Sequence, residues 1–343
     1  MSYLREMVEQ ADVLEALFRT EPQYVYHTDL TRLTRFRRVV FTGMGSSYYA
    51  GWYGAMLLNR SGVPALVFES QELERGFLPL LDDDVLLVAV SQSGESRETV
   101  GCVRGIQGKN TLGITNRPKS ALARACELGF VDIRAGVEKT SATKTYTNTL
   151  GALLRLVVDL RIHRSDHFDS GVRDCLAAMR RWLGESVRLQ EILQRFFEQT
   201  PHLAFMGSGF SLPSARQAAL IFGEMTHRLT TALSIGAFFH GLIEQVGQGY
   251  GAVFFHASPV IDSPFSEAVE AVLRTGGRVL LVGSRHSLGN YPETKQGLVL
   301  SYDLPSEELG PLVEIIPAQC LAYAVGLASG LKPGELLRVS KLP

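Results

Sequence analysis

The chain has 343 residues, of which 45% are apolar and 20% charged, and its formal net charge is −1. This composition is typical of well-packed globular proteins, and the length suggests two domains of roughly 150 residues each. The balanced charge excludes a basic field of the kind that attracts nucleic acid or an anionic membrane. Any anion that the protein binds must therefore be held by local geometry.

The four cysteines are scattered along the chain, with no CxxC spacing and no ligand-like pairing with histidine. We expect reduced, packed thiols and neither a bound metal nor an organic cofactor. The polar N-terminal residues lack the apolar stretch of a signal peptide. We identify no apolar run that approaches the roughly 20 residues of a membrane span and expect no transmembrane helix. These features predict a cytoplasmic protein.

The first half of the chain alternates between helical and strand-like patterns. Residues 1–35 carry apolar side chains at helical spacing and predict an N-terminal helical segment. Four short apolar runs follow, with helical patterns between them, at residues 38–43, 84–90, 111–115 and 129–133. Strands that are buried on both faces and alternate with helices predict a parallel sheet. We place this α/β domain at residues 36–165 and linking helices at residues 166–200.

The same order of elements repeats in the second half. Leu203–Gly209 matches Val39–Gly45 glycine for glycine at an offset of 164. Three further strand-like runs then follow in the same order as in the first half, at residues 251–258, 278–283 and 298–301. Four matches in order indicate two copies of one domain. We predict two repeated, doubly wound, flavodoxin-like parallel-sheet domains with a helical linker, the second at residues 201–330 and followed by a tail at residues 331–343.

Two glycine- and serine-rich segments follow the first two strands of the first domain, Gly43–Ser47 and Ser91–Ser96. Ligands of doubly wound sheets bind at the carboxyl ends of the strands. A helix that begins there offers unpaired N–H groups and a partial positive charge, and serine hydroxyls add neutral donors. The pattern predicts a phosphate site. The alternative is that Ser91 and Ser96 only cap the helix that follows.

A third hydroxyl-rich segment, residues 139–147, follows the fourth strand and is predicted either to face the same crevice or to form a capped surface turn. The second domain reads Ser258–Ser263 at the place of the serine loop. There Pro259 removes a backbone donor, and Asp262 would repel an anion. We therefore expect the phosphate to be bound by the first domain alone.

The segments Gly43–Ser47, Ser91–Ser96 and Thr143–Thr145, in this order, resemble those of the sugar isomerase (SIS) domain family. The doubled arrangement is similar to the isomerase half of glucosamine-6-phosphate synthase and to stand-alone phosphosugar deglycases and deaminases. The resemblance implies SIS-type domains and a sugar phosphate of the fructose 6-phosphate or glucosamine 6-phosphate class, bound without a cofactor by a homodimer with shared active sites. The phosphate-binding residues that it implies are Ser47, Ser91, Gln92, Ser93, Ser96, Thr140 and Ser141.

The resemblance also implies catalytic residues in the second half. Glu224 takes the place of the base that moves a proton between C1 and C2 of the open-chain sugar. His240, 16 residues later, takes the place of the histidine that helps to open the sugar ring and usually serves the neighbouring subunit. Lys341 or Arg338 would supply the C-terminal basic group that can form an imine with the sugar. A carboxylate in a partly dry cleft suits such proton transfer, and histidine exchanges protons near pH 7.

Several positions depart from the family pattern. Ile221 stands where the synthase has a lysine, and Thr231 and Ala237 replace acidic residues. The chain shows no glutaminase domain and no N-terminal cysteine nucleophile, so glutamine-dependent amide transfer is not expected. The leading hypothesis is an amino-sugar or fructosamine phosphate isomerase, deaminase or deglycase. The alternatives are a non-catalytic phosphosugar sensor and, from one Gly-x-Gly pair, a dinucleotide-dependent oxidoreductase.

Overall fold

The computed structural model describes residues 2–162, 168–336 and 338. The chain divides into two compact units. The first unit contains the described residues from 9 to 162, and the second unit contains residues 2–8 together with the described residues from 168 onwards. Each unit is built on one β-sheet and is described by itself.

The secondary structure of both units is numbered along the chain. The strands of the first unit are β1 (Tyr26–His27), β2 (Arg38–Gly43), β3 (Ala65–Glu69), β4 (Val85–Val90), β5 (Thr111–Thr115) and β6 (Phe130–Asp132). Those of the second unit are β7 (His202–Gly207), β8 (Thr230–Ser234), β9 (Tyr250–His256), β10 (Arg278–Ser284) and β11 (Gly297–Tyr302).

Helix α1 (Ser2–Val8) opens the chain and belongs to the second unit. The helices of the first unit are α2 (Gln10–Arg19), α3 (Ser46–Arg60), α4 (Ser70–Glu72), α5 (Arg97–Gly105), α6 (Ala121–Ala125) and α7 (Lys144–Asp159). The other helices of the second unit are α8 (Phe168–Gly184), α9 (Ser186–Phe196), α10 (Ser211–Thr226), α11 (Ile235–Phe239), α12 (Ser263–Arg274), α13 (Arg285–Leu288) and α14 (Gly310–Ala328).

The first sheet has the order β3-β2-β4-β5-β6 with parallel neighbours, and β1 pairs antiparallel with β6. Without β1 this is the 2-1-3-4-5 order of a flavodoxin-like doubly wound sheet. Every residue of β4 is buried because helices cover both faces. Leu87 and Ala89 pack toward α5 and α6, whereas Leu86 and Val88 pack toward α3 and α7.

The second sheet has the order β8-β7-β9-β10-β11, with parallel neighbours throughout. Its two faces are also covered by helices. Phe254 packs against Phe265 of α12, and Phe255 stacks on Phe205, which contacts Phe222 of α10. Helices α8, α9 and α10 all pack against α14. The prediction of an α/β fold with parallel sheets is therefore confirmed.

All eight strands predicted from the sequence are present, but β1, β3 and β8 were not predicted. Both β3 and β8 lie at an edge of their sheet and are partly exposed, so neither shows a continuous apolar run. The prediction that residues 1–35 are helical is wrong after Arg19. That part of the chain contains β1 and two short 3-10 turns, Pro22–Tyr24 and Leu30–Arg35.

The segment Glu307–Ala328 is 22 residues long and is apolar enough to cross a membrane by length and composition. This corrects the expectation that no apolar run approaches that length. Of its most apolar window, 83% is buried within the structure. A helix that packs against neighbours on all sides loses the polar face of a surface helix, and α14 has this character.

A candidate phosphate-binding site at the first sheet

A cavity of about 220 Å³ lies at the carboxyl edge of the first sheet, beside the loops that follow β2 and β4. These two strands are neighbours at the point where the strand order reverses, which is where doubly wound sheets bind their ligands. The cavity is lined by Met44, Ser46, Ser47, Val90, Ser91, Gln92, Ser93, Ser96, Thr99, Ala142, Thr145, Tyr146 and Thr149.

The loop after β2 turns tightly into α3. A Cβ on Gly43 would lie 2.9 Å from the carbonyl carbon of Ser47 and 3.0 Å from the carbonyl oxygen of Val90, so no larger residue fits. Gly45 has a φ of +52°, a conformation that glycine adopts readily. Ser46 then begins α3, and the Ser46 and Ser47 side chains line the cavity.

The loop after β4 is held by its own serines. The hydroxyl oxygen of Ser91 accepts a hydrogen bond from the Gly94 N–H at 3.1 Å, and that of Ser93 accepts one from the Glu95 N–H at 3.2 Å. Gly94 has a φ of +63°, and a Cβ there would lie 2.1 Å from the Ser120 hydroxyl oxygen. The backbone of the loop can therefore pass this point only with glycine.

Ser96 directly precedes α5, but its side chain makes no capping hydrogen bond. Its hydroxyl instead donates to the Glu98 carboxylate at 3.2 Å and accepts from the Thr99 hydroxyl at 3.1 Å. Simple capping therefore does not explain Ser96. The Ser91 hydroxyl bonds within the loop and likewise does not cap α5.

The third hydroxyl-rich segment is arranged differently from the prediction. Thr140 and Ser141 do not line the cavity, and the Ser141 hydroxyl is buried without a hydrogen-bond partner among the described residues. The buried Glu138 carboxylate accepts hydrogen bonds from the N–H and hydroxyl groups of both Thr143 and Thr145. This anchoring turns the chain so that Thr145, rather than the predicted pair, reaches the cavity.

Three lining residues on α7, Thr145, Tyr146 and Thr149, were not among the predicted phosphate ligands, although the first two lie in the 139–147 segment that was predicted to face the crevice. Two of them are four residues apart and therefore share one face of the helix. That spacing is visible in the sequence, but it would have identified the residues only if the start of α7 at Lys144 had been known.

The electrostatics of the cavity depend on neutral donors. Among the residues that the structure describes, no lysine, arginine or histidine lines it. Three helices, α3, α5 and α7, begin beside it. The N-terminal ends of α3 and α5 carry partial positive charge toward an anion, whereas the first amides of α7 already bond to the Glu138 carboxylate. Serine, threonine and tyrosine hydroxyls add donors that can rotate toward an anion. The arrangement can hold a phosphate group without a cationic side chain.

Three of the predicted catalytic positions, Glu224, His240 and Arg338, belong to the second unit. Glu224 is partly exposed on α10, and His240 is exposed directly after α11, followed by Gly241 with a φ of +109°. Arg338 is exposed, and Lys341 lies outside the described residues. The cavity of the first unit thus contains only candidates for binding the phosphate.

Comparison with known proteins identifies the class of the first unit. Residues 32–158 match the family model of the SIS domain. This stretch includes both glycine- and serine-rich loops and nearly all of α7. The match to this family model covers most of the first unit and agrees with the resemblance seen in the sequence.

Individual relatives cover nearly the whole chain. Glutamine–fructose-6-phosphate aminotransferase (isomerizing) of Pyrococcus horikoshii is 27% identical over 349 residues, which cover 98% of this chain and 56% of the relative. The chain thus spans little more than half the length of that curated relative.

Solved structures share the fold. The C-terminal domain of glucosamine-fructose-6-phosphate aminotransferase from Francisella tularensis superposes with a TM-score of 0.87 at 22% identity, over 97% of this chain and 98% of that one. Glucosamine-6-phosphate deaminase from Thermotoga maritima superposes with a TM-score of 0.75 at 19% identity, over 99% of this chain and 98% of that one.

Proposed function

We propose that the chain binds a sugar phosphate and acts on an amino-sugar or fructosamine phosphate, as an isomerase, deaminase or deglycase. The reaction would move a proton between C1 and C2 of the open-chain sugar. The observation that carries the proposal is the hydroxyl-lined cavity at the switch point of the first sheet, with the N-termini of α3 and α5 beside it.

In this mechanism the phosphate group binds and positions the substrate but does not react. Hydroxyls of Ser47, Ser91, Ser93 and Ser96 and the amide of Gln92 would bind it through neutral hydrogen bonds. Because the phosphate does not react, the energy of binding it can be used to position C1 and C2. An unphosphorylated sugar would lose this positioning and would bind poorly.

The proton transfer is assigned to residues of the second unit on the strength of the family resemblance. Glu224 would act as the base between C1 and C2, and His240 would assist ring opening. Lys341 or Arg338 would be the basic group near the reacting carbonyl. A homodimer that shares its active sites and a cytoplasmic location belong to the same proposal.

We also infer that the two units are copies of one ancestral domain. Both sheets have the strand order 2-1-3-4-5, and the match of Val39–Gly45 with Leu203–Gly209 falls on the first parallel strand of each sheet and the turn after it.

A non-catalytic phosphosugar sensor is the second candidate. The residue at the place of the synthase lysine, Ile221, is fully buried and apolar, and exposed Thr231 stands where the family has an acid. A sensor would need the phosphate site but not these groups.

Titration calorimetry and a turnover assay separate the two candidates. We expect fructose 6-phosphate or glucosamine 6-phosphate to bind and raise the melting temperature, whereas fructose at the same concentration does not. Interconversion of the two sugars with ammonia, or ammonia release, would support the enzyme. Binding without turnover of any amino-sugar or fructosamine phosphate would support the sensor, and no binding of any sugar phosphate would contradict both.

A further inference from the structure

The switch point of the second sheet contains a carboxylate. Glu314 projects from α14 and is 0% exposed. It meets Ser211, the first residue of α10 after β7, and the Ser211 hydroxyl in turn contacts Ala257, the first residue after β9. Strands β7 and β9 are neighbours in the sheet, as β2 and β4 are in the first unit.

Glu314 is surrounded by hydrogen-bond donors. The Ser211 hydroxyl donates to Oε1 at 2.8 Å, the Ser214 hydroxyl to Oε2 at 2.7 Å and the Tyr302 hydroxyl to Oε1 at 3.1 Å. The Ala257 N–H donates to the Ser211 oxygen at 2.8 Å, which leaves the proton of that hydroxyl for the carboxylate. Among the described residues, the groups that bond to the Glu314 carboxylate are three hydroxyls and no cation, which is the same chemistry as in the first cavity.

The backbone around Glu314 also matches the first site. Ser211 stands 164 residues after Ser47, the offset that relates the two glycine turns. A Cβ on Gly207 would lie 2.5 Å from the Ser211 carbonyl oxygen, so this turn is as tight as the one at Gly43. A Cβ on Gly310 would lie 2.5 Å from the Ala257 Cβ, so the glycine lets α14 approach the strand ends.

We infer that the second sheet retains an oxyanion-binding crevice and that the chain's own Glu314 carboxylate fills it in the place that a ligand phosphate would take. On this view the second unit binds no phosphate because the Glu314 side chain occupies the place of the ligand. The crevice should accept a small carboxylate or inorganic phosphate once the side chain of Glu314 is removed. The inference depends only on the contacts of Glu314 and does not require the proposed function.

Chemical rescue tests the inference. The melting temperature of Glu314→Ala is measured with sodium acetate, sodium phosphate and sodium chloride at matched ionic strength. We expect the variant to melt below the wild type, and acetate, phosphate or both to raise its melting temperature saturably relative to chloride. The wild type and Glu314→Gln, whose crevice is still filled, should show no such rise. Equal responses of all three proteins would overturn the inference, and the rescuing anion distinguishes a carboxylate-sized from a phosphate-sized crevice.

A second variant keeps the test decisive if Glu314→Ala does not fold. Ser214→Ala removes one donor and leaves the carboxylate. The nearby Tyr302 and Cys175 stay neutral between pH 5 and 8 because burial raises the pKa of both groups. The electrostatic interaction of Glu307 with Tyr302 is the same in the wild type and in Ser214→Ala. The drop in melting temperature from wild type to Ser214→Ala should be larger at pH 8, where the carboxylate is charged, than at pH 5. The pH dependence of wild-type stability relative to Glu314→Gln shows whether the carboxylate titrates between these two pH values; if it does, an equal drop at both would show that the crevice does not stabilise an anion.

Discussion

The strand-end crevices of the two sheets have the same topology but different contents. In the first unit, glycine turns and serines surround an open cavity. In the second unit, the crevice is closed by the buried Glu314. The strand order thus determines where a ligand can bind, and a few side chains on the loops and on the last helix determine whether one does.

Asp262, in the loop after β9, has a structural role that was not predicted from the sequence. Asp262 was expected to repel an anion. In the structure its carboxylate caps α12 by accepting a hydrogen bond from the Phe265 N–H at 2.9 Å. Capping of the α12 N-terminus is therefore sufficient to account for an aspartate at this position.

The largest expected effect is on turnover, and it tests whether phosphate binding depends on the first unit and proton transfer on the second. Glu224→Gln should lower turnover by about 10²–10⁴-fold because it removes the proposed base. The affinity for the sugar phosphate should stay within about twofold of wild type, because the phosphate ligands are unchanged. Steady-state kinetics and calorimetry measure the two quantities, with the exposed Glu244→Gln as control. Full turnover by Glu224→Gln would contradict the assignment of the base.

A second prediction concerns the pH dependence of the second crevice. Burial raises the pKa of Glu314 to about 7 in spite of its three hydroxyl donors. The folded state therefore binds more protons than the unfolded state between the ordinary glutamate pKa and pH 7, so this group's contribution to stability falls as the pH rises through that window. The wild type should lose about 3 kcal/mol relative to Glu314→Gln from pH 4 to pH 8.

Urea unfolding of the two proteins across this pH range measures the difference. Because both proteins share every other titratable group, subtracting one curve from the other isolates Glu314. Parallel curves would mean that the carboxylate titrates near its ordinary pKa, and the crevice would then be less dry than its burial indicates.

The third prediction concerns the loop of the first crevice. Gly94→Ala combines a positive φ with a collision at Ser120, whereas Gly62→Ala has a φ of +81° in open space. Gly62→Ala should cost about 1 kcal/mol of unfolding free energy from backbone strain alone, and Gly94→Ala about 2–3 kcal/mol. Chemical denaturation measures both variants. Equal losses would show that the loop can relax away from Ser120.

The sequence predicted the central strands of both sheets and the two glycine- and serine-rich loops beside the cavity because these depend on local signals. Buried parallel strands read as continuous apolar runs, and glycine is required where the backbone turns tightly, as at Gly43 and Gly94. It predicted that the segment leading into α7 faces the crevice, but it did not predict which residues of α7 line the cavity or the role of Glu314. Both depend on where a distant helix meets the strand ends, which single-sequence patterns do not specify.

The smallest expected effects are those of alanine substitutions at two equivalent serines. These substitutions test the comparison of the two crevices most directly. Ser47 and Ser211 occupy the same place in the two units, at an offset of 164. The Ser47 side chain lines the open cavity, so Ser47→Ala should leave stability nearly unchanged and weaken sugar-phosphate binding about five- to tenfold. Ser211→Ala should leave binding unchanged and cost about 1–2 kcal/mol of stability, because Glu314 loses a donor.

Calorimetry and urea unfolding of both serine variants complete this test, with the exposed Ser208→Ala as a control for the loop after β7. A loss of binding in Ser47→Ala only, together with a loss of stability in Ser211→Ala only, would show that one position serves a ligand in the first unit and an internal carboxylate in the second. If Ser211→Ala weakened sugar-phosphate binding as much as Ser47→Ala, the division of roles between the two crevices would be wrong, since the second serine would then act on the ligand and not only on Glu314.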